Sequence, residues 1–264
     1  MNWELTILLS VIVKIMLEKT KSKHLIDSGL VKLSKMSSGQ PEIFISVQGE
    51  GVFAGTPCIF IRLALCNLSC SWCDTKYTWD WKNYQYANHV TALHSDDIYS
   101  IVKKYNHKHV VITGGEPLLQ QHALQPLITS LSQNDYTVEI ETNGTIATIT
   151  PIFKLVNQWN ISPKLKNAGN SQNKQTALEI LATYKSHPNA YLKFVIVEQD
   201  DILEAIRLAN SLSFPTDRLI FMPEGASGPK LINKSEWLRD YCIKSGLRYS
   251  SRLHVLLWQG VRGK

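Results

Sequence analysis

From Glu42 onward, short apolar runs alternate along the chain with longer stretches whose apolar positions recur at a helical period. The short runs predict strands, and the longer stretches predict amphipathic helices. The predicted strands are Glu42–Val47, Cys58–Ala64, Val110–Thr113, Thr137–Glu141, Asn160–Ser162, Tyr191–Val197 and Leu219–Met222. The predicted helices begin at Ser95 and then cover Leu118–Leu131, Thr176–Ser186, Asp200–Ser211 and Asn233–Ser245. Because this alternation places helices outside a mostly parallel sheet, we predict one α/β domain over residues 41–264.

Four loops of unusual sequence directly follow predicted strands. They are Gly114–Pro117, Thr142–Gly144, Pro163-Lys164 and Pro223–Gly225. Each loop alone is also typical of an ordinary turn. Ligands of parallel β/α folds bind at the carboxyl ends of the strands, so four such loops at one rim indicate a binding site.

The composition is that of a globular protein, with 44% hydrophobic and 19% charged residues in a chain of 264. The net charge is +6, but the densest basic run, Lys103–His109, is interpreted as a solvated helix end. We therefore expect no nucleic-acid partner. The apolar stretch Leu5–Leu17 contains Lys14 and is too short to cross a bilayer, so we expect no membrane span.

Three of the five cysteines, Cys66, Cys70 and Cys73, follow one predicted strand with the spacing C-x3-C-x2-C. Three thiolates in one loop predict a metal site. A zinc site would need a fourth ligand, for which His89 and His94 are weak candidates. A [4Fe–4S] cluster held by three thiolates leaves one iron open to an external ligand, and the spacing favours it over zinc. Such thiols must stay reduced, which predicts a cytoplasmic protein.

The remaining two cysteines, Cys58 and Cys242, stand apart from that loop. We expect both to be buried small hydrophobic residues.

The cysteine motif, with Trp72 before its last cysteine, resembles that of the radical S-adenosylmethionine superfamily. Gly114–Pro117 and Ser162–Lys164 resemble two further elements of these enzymes. The resemblance implies a partial, open β/α barrel that binds a [4Fe–4S] cluster and S-adenosyl-L-methionine. It assigns cofactor contacts to Trp72, Asp74, Gly115, Ser162, Pro163 and Lys164.

Ser46–Gly51, Gly55–Pro57 and Phe60–Leu63 narrow the resemblance to the 7-carboxy-7-deazaguanine synthase family, and it extends over nearly all of residues 41–264. That family implies a carbon–nitrogen lyase of queuosine and deazapurine biosynthesis. Such an enzyme contracts the ring of 6-carboxy-5,6,7,8-tetrahydropterin to 7-carboxy-7-deazaguanine and releases ammonia. The resemblance also implies Mg2+ bound through Thr75, a homodimer and an unidentified electron donor.

The substrate residues implied by the resemblance are Val47, Gln48, Gly49, Glu50, Arg62 and Thr113. The side chains of Gln48 and Glu50 match the amide and amine edge of a pterin, and Arg62 can grip the substrate carboxylate at two points. We therefore expect Arg62 and Glu50 to be the catalytic residues.

Each of these assignments has a structural alternative. Residues 48–51 can be a plain glycine turn, Arg62 a surface cation, and Thr75 a turn residue bonded to its own backbone. His254 is as consistent with a satisfied core residue as with a substrate contact.

Two other functions stay open at this point. A glycyl-radical activating enzyme shares the cysteine spacing but should lack the pocket of residues 48–51. A cysteine-liganded metal module for binding or electron transfer would make the Gly114–Glu116 match a coincidence.

Residues 1–40 form an N-terminal extension, and the family needs no counterpart of residues 1–35. The favoured interpretation is a start codon assigned too early, so that a chain starting at Met36 should fold and work. The alternative is an amphipathic membrane anchor in Leu5–Leu17.

Overall fold

The structure, a computed structural model, describes residues 29–170 and 174–264. The described residues form one ten-stranded sheet, in which neighbours follow the order β10-β9-β8-β7-β6-β5-β3-β1-β4, with β2 also paired to β3. The strands are β1 Val31–Ser34, β2 Ile43–Val47, β3 Pro57–Leu63, β4 Val90–Leu93, β5 His109–Gly114, β6 Thr137–Thr142, β7 Gln158–Ile161, β8 Ala190–Ile196, β9 Leu219–Pro223 and β10 Arg248–Tyr249.

The helices lie between the strands and cover the sheet. They are α1 Tyr86–His89, α2 Ser95–Val102, α3 Gln121–Gln133, α4 Thr150–Leu155, α5 Lys174–Tyr184, α6 Gln199–Ser211, α7 Gly228–Ser245 and α8 Leu253–Trp258. Short 3-10 turns occur at Lys76–Thr78, Pro117–Gln120, Lys166–Ala168 and Thr216–Arg218. The apolar positions of α3 recur at helical spacing and are buried, which packs this helix against the sheet.

Strand direction places the loops of interest at one rim. From β3 through β5 to β10, each neighbouring pair is parallel, whereas β1 and β2 run antiparallel to β3. Arg62 lies opposite Thr113 in this register, and Glu141 lies opposite Asn160. Within the described residues β10 and β4 end the strand order without pairing to each other. The expected open β/α arrangement with mostly parallel strands is therefore confirmed.

All seven predicted strands are present with small shifts of their ends. The largest shift is in β7, which begins at Gln158 and not at Asn160. Sequence analysis missed β1, β4 and β10, because none exceeds four residues and each is recognisable only by its pairing partner.

The position of β1 bears on the N-terminal boundary. Val31 and Leu33 are fully buried, and β1 pairs with β3 on one side and with β4 on the other. A boundary between residues 40 and 41 therefore cuts through one sheet, and the folded unit begins at least as early as β1. The expectations for Leu5–Leu17 lie outside the described residues.

No helix in the described part of the chain is long and apolar enough to cross a membrane. The basic run after α2 exposes Lys103 and Lys104, as expected for a solvated helix end.

Candidate active site

A cavity of about 440 Å³ opens at the carboxyl ends of the parallel strands. Every site residue predicted from the sequence lines it except Pro163, which is buried beside it. The lining set is Val47, Gln48, Gly49, Glu50, Arg62, Cys66, Cys70, Trp72, Cys73, Asp74, Thr75, Thr113, Gly115, Ser162 and Lys164. His254, the doubtful candidate, also lines it. Folding thus brings residues from six separate segments to one place.

The loop after β3 presents three cysteine sulfurs to the cavity, and each sulfur accepts a hydrogen bond from nitrogen. The backbone N–H of Leu68 lies 3.5 Å from Cys66 Sγ, and Asn170 Nδ2 lies 3.1 Å from Cys70 Sγ. Trp79 Nε1 donates to Cys73 Sγ at 3.3 Å. N–H donors stabilise negative charge on sulfur, as the thiolate ligands of an iron–sulfur cluster require.

Neither histidine considered as a fourth zinc ligand lies beside these three thiols in the cavity. Burial raises the pKa of the Cys66 thiol to about 12, so a bound metal is needed to hold it as a thiolate. His89 packs against Tyr84 at 5.3 Å between ring centroids, and neither His89 nor His94 lines the cavity. Among the described residues, no group of three His, Cys, Asp or Glu side chains is arranged to hold a single ion.

The two remaining cysteines behave as predicted. Cys58 and Cys242 are buried away from the cavity. Burial raises the pKa of Cys242 to about 11, which keeps this thiol protonated and unreactive.

Two consecutive glycines let the loop after β5 lie directly against the cysteine loop. Gly114 has φ +124°, and a Cβ there would lie 2.2 Å from the carbonyl oxygen of Leu63. A Cβ on Gly115 would lie 1.9 Å from the carbonyl oxygen of Leu65. Any side chain at either position would push the two loops apart. Gly115 itself lines the cavity.

The side chain of Glu116 holds this loop in place through hydrogen bonds. Its buried carboxylate accepts hydrogen bonds from the backbone N–H of Leu118 at 3.0 Å and of Asn143 at 2.7 Å. The hydroxyl of Thr142 donates to it at 2.8 Å. Burial raises the pKa of Glu116, and these hydrogen bonds oppose that rise. Glu116 thus joins the loops that follow β5 and β6 and does not face the cavity.

The loop after β7 brings a third element to the cysteines. Lys164 Nζ donates to the Ser162 carbonyl at 2.8 Å and to the Ser162 hydroxyl at 2.7 Å, and it lies 5.6 Å from the centroid of the Trp72 ring. Burial lowers the pKa of Lys164, while the nearby cysteines raise it. A cation beside three thiolates favours an anionic cluster at this position.

The cysteine loop forms one wall of the cavity. The carboxylates around Lys193 of β8 form a second wall. The ammonium group of Lys193 pairs with Glu50 and lies 3.5 Å from Glu141. Arg252 Nε lies 3.1 Å from the other oxygen of Glu50, and this guanidinium also pairs with Asp74. Burial alone would raise the pKa of Glu50, but Lys193 and Arg252 lower it well below its usual range. Glu50 is therefore ionised at neutral pH.

Gln48 is engaged inside the protein. Its side-chain nitrogen donates to buried Glu139 at 2.6 Å, and its side-chain oxygen accepts from the Glu50 backbone N–H at 3.3 Å. Glu139 also forms a hydrogen bond with His109 Nε2 at 2.8 Å and accepts one from the side-chain amide of Asn160. Gln48 thus shapes the turn that carries Glu50.

Arg62 stands on a third wall, which is cationic. Its Nε donates to the buried carboxylate of Glu42 at 3.0 Å, and Arg262 of the C-terminal tail binds the same carboxylate. Arg62 is half-buried and lines the cavity, so it is not a surface cation.

Sequence reasoning did not select Glu42, Lys193, Arg252 or Arg262. Lys193 could have been identified from the sequence, because a charged residue in the middle of an apolar strand is costly to bury without a partner. Arg252 lies in a short loop, and its partners are distant in sequence, so no local pattern identifies it.

Comparison with known proteins agrees with this geometry. The family model of the radical SAM superfamily matches residues 61–226. A 7-carboxy-7-deazaguanine synthase from Pyrobaculum aerophilum is 34% identical over 224 residues, which cover 84% of this chain and 96% of that protein. A 7-carboxy-7-deazaguanine synthase from Halobacterium salinarum is 36% identical over 239 residues, covering 82% and 89%.

A solved structure agrees as well. The crystal structure of QueE from Escherichia coli superposes with a TM-score of 0.63 at 26% identity, covering 88% of this chain and 98% of that one. The motifs, the open barrel and these relatives together place the chain in the 7-carboxy-7-deazaguanine synthase family of the radical SAM superfamily.

Proposed function

We propose that the protein contracts 6-carboxy-5,6,7,8-tetrahydropterin to 7-carboxy-7-deazaguanine, with release of ammonia, in queuosine or related deazapurine biosynthesis. One observation carries the proposal. A single cavity joins the three-cysteine loop to a pocket that has a cationic wall and a carboxylate wall. The substrate has the matching chemistry, with a carboxylate at one end and an amine and amide edge at the other.

Cys66, Cys70 and Cys73 would hold the [4Fe–4S] cluster, and the Gly115 backbone would face bound S-adenosyl-L-methionine. When bound, these groups supply a 5′-deoxyadenosyl radical that removes one hydrogen atom from the substrate. We assign further cofactor contacts to Trp72, Asp74, Ser162, Pro163 and Lys164, as the family resemblance implies. Pro163 can act only through the backbone of its loop.

The chain's own residues bind and orient the pterin. Arg62 offers its terminal nitrogens to the substrate carboxylate, and ionised Glu50 accepts hydrogen bonds from the amine and amide edge. Val47 and Gly49 line the pocket on either side of Gln48, and Thr113 lies beside Arg62 in the sheet register. These contacts fix the reacting carbon relative to the cysteine loop.

We also propose that Thr75 binds Mg2+. Its half-buried hydroxyl lies 3.6 Å from Cys73 Sγ and lines the cavity. One hydroxyl is a weak site alone, but Mg2+ commonly keeps several waters and shares oxygen ligands with a substrate.

The magnesium site predicts that Thr75→Ala raises the Mg2+ concentration needed for half-maximal turnover. Thr75→Ser keeps the hydroxyl and is the matched control. Both variants should keep their iron. If Thr75→Ala responds to magnesium as the wild type does, Thr75 is a turn residue only.

Two further parts of the proposal follow from the family resemblance. The enzyme is a cytoplasmic homodimer, and an external one-electron donor reduces its cluster. Light scattering of the reconstituted protein tests the dimer, and a monomer at micromolar concentration would contradict it.

Anaerobic reconstitution with iron and sulfide, followed by reduction in the presence of S-adenosyl-L-methionine and the pterin, tests the function. We expect 7-carboxy-7-deazaguanine and ammonia as products, with Cys70→Ala inactive and Cys242→Ala active. A glycyl-radical activating enzyme would leave the pterin unchanged, and a plain metal module would not cleave S-adenosyl-L-methionine. Either result would refute the proposal.

A further inference from the structure

Two arginines far apart in the sequence share one buried carboxylate that lines the cavity. Arg62 Nε donates to Glu42 Oε1 at 3.0 Å. Arg262 donates to Glu42 Oε2 from Nε at 2.9 Å and from Nη2 at 2.6 Å. The Glu42 side chain is fully buried, whereas the arginines are 20% and 26% exposed. Two cations on one anion leave this wall with a net positive charge.

The oxygen of Glu42 that each arginine binds determines which nitrogens of Arg62 can bind a ligand. Arg62 uses only its Nε, and within the described part of the chain its two terminal nitrogens have no hydrogen-bond partner. An arginine and a lone carboxylate prefer to pair at two points, which would use both Glu42 oxygens. Because Arg262 already occupies Oε2, this pairing is blocked. The terminal nitrogens of Arg62 stay available to the cavity.

Arg262 is itself held by the loop after the cysteines. Its guanidinium carbon lies 3.7 Å from the centroid of the Tyr77 ring, a cation–π contact. The Tyr77 hydroxyl donates to Glu42 Oε1 at 3.2 Å, and Arg262 also donates to the carbonyl of Lys35. The tail residues Gly260–Lys264 line the cavity, so the contacts of Arg262 fix one of its walls.

We propose that Arg262 is a positioning residue for substrate recognition, which occupies Glu42 and so keeps the terminal nitrogens of Arg62 free to bind the carboxylate of the pterin. This inference rests on the proposed function and deepens it. Without Arg262, Arg62 would turn onto both oxygens of Glu42. The wall would become neutral, and the enzyme would lose its preference for a carboxylated substrate.

The test compares two ligands in the reconstituted enzyme. Affinities for 6-carboxytetrahydropterin and for tetrahydropterin without the carboxylate are measured by anaerobic calorimetry. Arg262→Ala should weaken binding of the carboxylated ligand about tenfold or more, the loss expected for one charge-assisted hydrogen bond. Binding of the other ligand should change less than about twofold, since it has no carboxylate for Arg62 to bind.

Three further variants isolate the mechanism. Arg262→Lys should recover part of the preference, because an ammonium group can still occupy Oε2. Arg239→Ala is the control, since Arg239 is 52% exposed on α7 and pairs with neighbouring Asp240. In an Arg62→Ala background, Arg262→Ala should add no further loss of preference, because Arg262 acts only through Arg62. The double-mutant cycle measures this coupling.

The outcomes separate this inference from the proposed function. If the wild type prefers the carboxylated pterin and Arg262→Ala keeps that preference, Arg262 has no part in recognition. If Arg262→Ala weakens both ligands equally, the tail is only a structural wall. If the wild type neither converts the carboxylated pterin nor prefers it, the proposed function fails together with this inference.

Discussion

Deleting residues 1–35, so that the chain starts at Met36, removes β1 from between β3 and β4. Val31 and Leu33 are fully buried, and burying each is worth about 1.5–3 kcal/mol. The backbone of Lys32 also meets the side chain of Gln120 at 2.7 and 3.1 Å. Leaving that buried amide without these partners costs a further ~1–3 kcal/mol. The sum of roughly 4–9 kcal/mol is a large part of the ~5–15 kcal/mol that stabilises a typical domain.

The assay compares two chains, one starting at Met36 and one starting at Gly29, which keeps β1. We expect the Met36 chain to melt at least about 8 °C lower, since 1 kcal/mol corresponds to ~2–4 °C for a domain of this size, or to be recovered only as aggregate. Thermal unfolding followed by circular dichroism measures the difference. If both chains melt within about 2 °C of each other, β1 contributes nothing to the cooperative fold, and the burial argument is wrong.

Three more predictions concern the site. Cys70→Ala should lose the cluster while Cys58→Ala keeps it, as measured by iron content and by the spin signal of the reduced protein; the reverse pattern would overturn the ligand assignment. Gly115→Ala places a Cβ 1.9 Å from a backbone oxygen, and overpacking of ~1–3 kcal/mol should weaken S-adenosyl-L-methionine binding about fivefold or more; unchanged affinity with unchanged iron would contradict the close approach. Burial raises the pKa of Glu50, but two neighbouring cations lower it below its usual value of 4.5. The ionised Glu50 therefore stabilises the fold fully above pH 4.5, and this contribution is lost as the pH falls through the lowered pKa. Acid titration of the unfolding free energy should therefore be steeper for the wild type than for Glu50→Gln, and equal slopes would refute this.

Much of the architecture could be predicted from the sequence because strand and helix periods are local. The run Cys58–Ala64 and the three cysteines after it lie in one continuous segment, so their order on the chain already sets their order in space. The glycine pair at Gly114 and Gly115 is a turn pattern that the sequence shows directly, although the backbone contact that requires glycine there, with Leu63 and Leu65, is visible only in the structure. These features locate the rim and the three-cysteine loop without any tertiary information.

The partners of the charged residues could be found only in the tertiary structure. Arg262 meets Glu42 across 220 positions, and Arg252 meets Glu50 across 202. A sequence pattern shows which face of an element is buried, but not which distant group will lie opposite a given charge. Whether Arg62 has free terminal nitrogens depends on that opposite group. A carboxylate that binds Arg62 alone would use two of its donors, whereas a carboxylate shared with a second arginine leaves the terminal nitrogens free.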